Sequence, residues 1–140
     1  MFSIDTSTKF GRRITGQLGD ERMMWLTTVG RSGTPAPTPV WFLWYDGRLL
    51  VCSQPDQAKL RNIAAHPQVS LNFNATRSGG EVGVIAGTAE IDENPIAGDA
   101  LAAYNEKYAA DIAGLGMSPD QFHASYSVLI RITPEKLRGF

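Results

Sequence analysis

The stretch Thr38-Pro-Val-Trp-Phe-Leu-Trp-Tyr45, Asp46-Gly47, Arg48-Leu-Leu-Val-Cys-Ser53 reads as two apolar strands joined by a two-residue turn. Asp-Gly between apolar runs is a strong hairpin signal, because both turn positions need positive φ, which Gly adopts freely and Asp tolerates. Pro35, Pro37 and Pro39 lead into the first of these strands. Proline cannot donate to a ladder, so this strand belongs at a sheet edge or at a strand entry. Upstream, Met23–Val29 (MMWLTTV) has the aromatic and β-branched content of another strand, and Gly30-Arg31-Ser32-Gly33-Thr34 ends it as a turn. Residues 1–20 read as an irregular arm and a short helix, with Phe10, Ile14 and Leu18 spaced four apart on one face.

Downstream, Gln54-Pro55-Asp56 is a turn, and Asp56 is placed to cap a helix from Gln57 to about Ala65. Leu60, Ile63 and Ala64 form its inward face, and His66-Pro67 stops it. Gln68–Asn74 alternates, with Val69, Leu71 and Phe73 on one side. After the Ala75–Gly80 turn, Glu81–Ile91 is a long strand whose Gly83 and Gly87 mark bends or close backbone approach. Asn94-Pro95 is expected to open an alanine-rich helix running to about Tyr108, and Ser118-Pro119-Asp120-Gln121 is a capping box. Tyr126–Thr133 is the last long strand, and Pro134–Phe140 adds a short terminal one. Six or seven strands, three or four short helices and no βαβ alternation predict a mainly β (α+β) chain, an antiparallel sheet closed into a barrel in one domain over residues 1–140.

Composition narrows the function classes. With 140 residues, 43% hydrophobic content and a net charge of -1, the chain has no field to gather nucleic acid or an anionic membrane surface. A phosphate must be bound by a local cluster. No apolar run approaches the ~20 residues of a membrane span, so none is expected. Met1–Thr8 lacks the charged and apolar regions of a signal peptide, so the expected location is cytoplasmic. The single cysteine, Cys52, excludes an internal disulfide and disfavours a structural zinc site.

Chemistry concentrates in Ser53-Gln54-Pro55-Asp56-Gln57-Ala58-Lys59-Leu60-Arg61-Asn62-Ile63. A strand ends in a hydroxyl residue, a turn follows, and a helix begins with two cations and an amide in its first two turns. Free N–H groups and the positive end of the helix dipole favour an anion there. Lys59 adds a point charge, Ser53 or Gln54 can donate hydrogen bonds, and Arg61 can offer a bidentate fork. Lys59 and Asn62 share a face, whereas Arg61 points elsewhere unless it bends back. Spacing alone does not separate this from a solvated helix with ordinary surface charges.

The order of these motifs resembles the flavin-binding split barrels related to pyridoxamine phosphate oxidase, and within them the branch that uses the deazaflavin coenzyme F420. The residues carrying the resemblance are Trp25–Val29, Gly33-Thr34-Pro35, Thr38–Phe42, Ala58–Ile63, His66–Leu71 and Gly87–Glu90, with Ile130–Pro134 at the end. The resemblance implies a six- to seven-stranded antiparallel split β-barrel working as a homodimer, with the cofactor site at or near the interface. It implies that the cofactor phosphate sits at Lys59 with help from Ser53, Gln54, Arg61 and Asn62. The ring is then expected along Thr38, Pro39, Val40 and Trp41, and hydride passes between reduced F420 and a small organic substrate. FMN on the same fold is the alternative cofactor, and a non-catalytic carrier of the cofactor is the alternative role. No acid–base side chain is needed, since the cofactor carries the hydride. Several relatives place a second cation two residues before the lysine; here Gln57 stands there, leaving compensation to Arg61.

The remaining polar residues have plainer readings. Trp41 and Trp44 lie on opposite faces of their strand, so at least one meets a second surface, a core or dimer interface or else a cofactor. His66 is expected to cap a helix, and His123 lacks partners for a metal. Haem would need one of these two histidines as axial ligand. Cys52 is expected to be a buried, inert thiol, Arg131 a surface ion pair, and Asp92-Glu93 a solvated strand end.

Overall fold

A computed structural model describes residues 1–140, in the order α1 (Lys9–Asp20), β1 (Met24–Val29), β2 (Pro35–Val40), β3 (Leu43–Tyr45), β4 (Arg48–Ser53), α2 (Ala58–Ala65), β5 (Gln68–Asn72), β6 (Gly83–Asp92), α3 (Gly98–Gly114), α4 (Pro119–Ser125) and β7 (Val128–Gly139). The seven strands form one sheet in the order β2-β1-β5-β6-β7-β4-β3, with every pairing antiparallel. Its two edges, β2 and β3, are consecutive in the chain and separated only by Trp41 and Phe42. At ~3.8 Å per residue their facing ends lie within roughly 11 Å of each other. The sheet therefore curls back on itself, closed by the covalent chain but not by a ladder. That gap is the split of a split barrel.

The expected unbroken strand from Thr38 to Tyr45 does not form. Both backbone groups of Phe42 are claimed by α3: its N–H donates to the Tyr108 hydroxyl at 2.9 Å, and its carbonyl accepts from Tyr108 Oη at 2.8 Å and Lys107 Nζ at 2.9 Å. Neither flanking strand can use them. The Asp46-Gly47 turn forms as expected, with φ of 51° and 73°. Thr8 caps α1, whose Ile14 and Leu18 are buried, and the Ser118/Gln121 capping box forms.

Three other boundaries differ. Asp56 does not cap α2; it takes a φ of 62° in the preceding turn, and the N-cap is Gln57, with no side-chain capping bond. The third helix starts at Gly98, because Asn94 N–H turns back to Asp92 Oδ1 at 2.9 Å and Ile96 is drawn into the core before the helix opens, and it runs past Tyr108 to Gly114, where Ile112 extends its buried face. The last two strands merge into β7, which passes Pro134 through a bulge. Gly87 pairs with Pro134 and Ala86 with Lys136, so Glu135 is the extra residue. The missing proline donor thus falls where the ladder is already irregular. Gly87 is the close approach that its position suggested, since a Cβ there would strike the Thr133 carbonyl. Gly87→Ala is expected to destabilise the protein by about 1–3 kcal/mol, read from urea unfolding; an unchanged midpoint would contradict this packing.

Two cores result. The barrel interior holds Ile14, Leu26, Phe42, Leu49, Val51, Leu71, Ile85 and Ile132 among others. A second core under α3 and α4 holds Leu50, Tyr104, Tyr108, Ile112 and Phe122. Because β4 feeds both, its sequence is apolar on successive residues and does not alternate. Trp41 packs on the second core and Trp44 on the first, so a second surface is met, as expected. No helix is long and apolar enough to cross a membrane.

Candidate functional site

The split in the barrel brings four pieces of chain to one cavity of about 340 Å³. Pro39 and Val40 come from the end of β2 and Trp41 from the link after it, and Cys52, Ser53 and Gln54 from the end of β4 and the turn after it. Gln57 and Lys59 come from the start of α2, and Tyr104, Leu115, Phe122 and Tyr126 from α3, α4 and their flanks.

Part of the lining offers hydrogen-bond donors. Lys59 is half-buried and makes no hydrogen bond or ion pair to the protein, and burial pulls its ammonium below the ordinary lysine range. The N–H groups of Ala58 and Lys59 are unpaired at the uncapped start of α2, and the Trp41 N–H is unpaired in the link between the sheet edges. Ser53 is buried and donates to the Gln54 carbonyl at 2.8 Å, and Gln54 Nε2 donates to Ser125 Oγ at 3.1 Å, which fixes this rim. No carboxylate lines the cavity. A desolvated cation beside free amides, with no counter-charge, is chemically suited to an anion such as a phosphate.

Six of the nine expected residues line this cavity: Pro39, Val40, Trp41, Ser53, Gln54 and Lys59. The other three do not. Thr38 sits in the ladder opposite Leu26. Arg61 Nη1 donates to the Asp56 carbonyl at 3.1 Å, so it does not take up the place of the second cation; Gln57 itself lines the cavity. Asn62 Nδ2 donates to the buried Thr28 Oγ1 at 3.0 Å, which ties α2 to β1.

The lining is also aromatic, through Trp41, Tyr104, Phe122 and Tyr126, which no single sequence motif unites. Tyr108, Trp41, Phe122 and Tyr126 stack in series, with centroids 4.8, 5.5 and 4.4 Å apart and interplanar angles of 5°, 18° and 14°. Tyr104, one turn before Tyr108, is fully buried beside them. The available signal was the four-residue spacing of Tyr104 and Tyr108, which puts both on one face of α3. Burial pushes the Cys52 thiol up to about 12, so it stays protonated. Arg131 pairs with Asp92 at 2.8 Å, which leaves that strand end ion-paired. His66 is the C-cap of α2, and His123 holds Asn105 Oδ1 at 2.7 Å. Neither histidine lines the cavity.

The family described as pyridoxamine 5'-phosphate oxidase matches residues 11–140. No curated protein sequence matches the chain significantly. Three solved structures show the breadth of its structural likeness. HutZ, the heme storage protein from Vibrio cholerae, superposes with a TM-score of 0.67 at 20% identity, covering 94% of this chain and 95% of that one. An F420 reductase superposes with a TM-score of 0.68 at 24% identity, covering 88% and 94%. General Stress Protein 26 from Bacillus anthracis str. Sterne superposes at 0.64 and 23%, covering 90% and 89%. At these identities the likeness is one of fold.

Proposed function

The chain belongs to the pyridoxamine 5'-phosphate oxidase family, and on that premise we propose that it is a cytoplasmic, homodimeric oxidoreductase that binds the deazaflavin coenzyme F420 and acts on a small organic acceptor. The observation that carries this reading is Lys59, a half-buried cation without a partner, at the uncapped start of α2 and facing a cavity free of carboxylates. A phosphate group would be held by Lys59, the first N–H groups of α2 and the Ser53-Gln54 rim. Pro39, Val40 and Trp41 would shelve the ring, where the unpaired Trp41 N–H can meet a ring carbonyl. Thr38 and Asn62 support these groups from behind, through the β1–β2 ladder and the tie to Thr28. Arg61, bound to the Asp56 carbonyl, holds the turn before α2.

When bound, the deazaflavin supplies hydride chemistry, and the protein supplies binding and orientation. The Cys52 thiol stays protonated and plays no part as a nucleophile. The structural likeness to an F420 reductase agrees with the F420 choice. FMN is the second reading, because the same donors suit any phosphate monoester. A carrier without turnover needs the same donors and differs only in lacking activity. Haem storage, the role named for HutZ, is not favoured, because neither histidine lines the cavity and His123 Nε2 is held by Asn105.

Parallel fluorescence titrations of the apoprotein with F420 and with FMN test the choice. F420 is expected to bind at least about 10-fold more tightly, a difference of ~1.4 kcal/mol. The reverse preference would move the protein to FMN, and binding of neither would overturn the redox reading.

A further inference from the structure

The cavity lining is almost without charge. Of the 12 residues that form it, Lys59 alone carries one. The other cation of α2, Arg61, is turned away, its Nη1 donating to the Asp56 carbonyl at 3.1 Å. Gln57, the N-cap of α2, lines the cavity; its side chain makes no capping bond and reaches only the Pro55 carbonyl, at 3.5 Å. It can donate a hydrogen bond to an anion but adds no charge. The first turn of α2 carries no carboxylate. An anion bound here therefore meets the full charge of Lys59 and the partial charge of the helix start, about half an elementary charge.

We propose that this site selects a phosphate group with a single negative charge, a phosphodiester, over a doubly charged monoester, and that the neutral Gln57 sets the choice. This rests on Lys59 being the phosphate site, but not on which ring the phosphate carries. Attraction to a fixed cation grows in proportion to the ligand's charge, whereas the cost of taking that charge out of water grows with its square. Beside a lone cation the first charge is matched, and the second is desolvated without a counter-charge. Lys59 is itself partly withdrawn from water, since burial pulls its ammonium below the ordinary lysine range. A monoester carries about 1.5 to 2 negative charges at neutral pH, its second ionisation falling at about pH 6. A diester keeps a single charge throughout that range. FMN is a monoester and F420 a diester, so charge separates two cofactors that the donors alone do not.

The test uses FMN and its phosphate monomethyl ester, which share ring and ribityl chain and differ near neutral pH by the second phosphate charge. Flavin fluorescence titrations compare wild type, Gln57→Arg and Gln57→Met at about pH 5 and about pH 7.5, either side of the second ionisation. At the higher pH wild type is expected to bind the methyl ester about 10-fold more tightly, because the extra charge of FMN is desolvated unpaired. At the lower pH, where FMN has gained a proton, the two affinities converge. Gln57→Arg is expected to reverse the order at the higher pH by raising FMN affinity about 10-fold, the worth of a charge-assisted hydrogen bond. Gln57→Met adds no charge and keeps the wild-type order. Equal affinities in wild type, FMN ahead of its ester, or an unchanged order in Gln57→Arg would overturn the charge selection. So would binding of neither ester by any of the three proteins. A preference for the methyl ester without any binding of F420 would leave the charge selection standing and remove the F420 reading; F420 binding without an ester preference would do the reverse.

Discussion

Lys59→Ala is expected to weaken F420 binding by about 10- to 100-fold, the worth of a charge-assisted hydrogen bond to a partly desolvated phosphate. Tm is expected to stay within a degree or two of wild type, because the side chain makes no hydrogen bond or ion pair in the folded protein. The pH dependence has a definite sign. Burial holds the native pKa of Lys59 below 10.5, so between the native and unfolded values the unfolded chain binds more protons. Stability of the apoprotein therefore rises with pH across that window. An anion beside Lys59 favours the ammonium and raises its pKa, so affinity falls as pH rises through the free protein's lowered pKa, and binding there takes up a proton. Calorimetry in buffers of different ionisation enthalpy should show this uptake in wild type and lose it in Lys59→Ala. Equal F420 affinities for the two proteins would remove the proposed phosphate site.

The largest loss of stability is expected from Phe122→Ala. Phe122 is 1% exposed and stacked between Trp41 and Tyr126, with Tyr104 beside it. Truncating a fully buried phenylalanine destabilises by about 3–5 kcal/mol, through lost transfer energy and the void left behind. The effect should reach the site, because Phe122 backs Trp41 and so fixes the link between the two sheet edges. Phe122→Leu should recover much of the stability, since most of the volume is kept. Urea unfolding of both variants reads this directly. A loss below about 1 kcal/mol in Phe122→Ala would mean that the aromatic stack is not a packed core.

What the sequence made legible was what neighbours in sequence decide. The Asp46-Gly47 turn, the capping box at Ser118 and the proline-marked β2 edge each need only a few adjacent residues, and each formed. Lys59 was legible as a cation early in a helix, though only the fold shows that it faces a cavity and lacks a partner. The break at Trp41-Phe42 was not legible, because its cause is Tyr108, 66 residues further along. The aromatic lining was hidden for the same reason: it is assembled from the link after β2, from α3 and from α4, which meet only when the sheet curls. The bulge at Gly87 was half legible. The glycine announced a close approach, but its target, the Thr133 carbonyl, depends on the register of the last strand pair.

A crystal structure of the protein with F420 bound decides whether Lys59 holds the cofactor. The phosphodiester is expected within hydrogen-bond distance of Lys59 Nζ and of the Ala58 and Lys59 N–H groups, with the deazaflavin ring against Pro39–Trp41. A phosphate bound elsewhere, with Lys59 turned away to solvent, would contradict it.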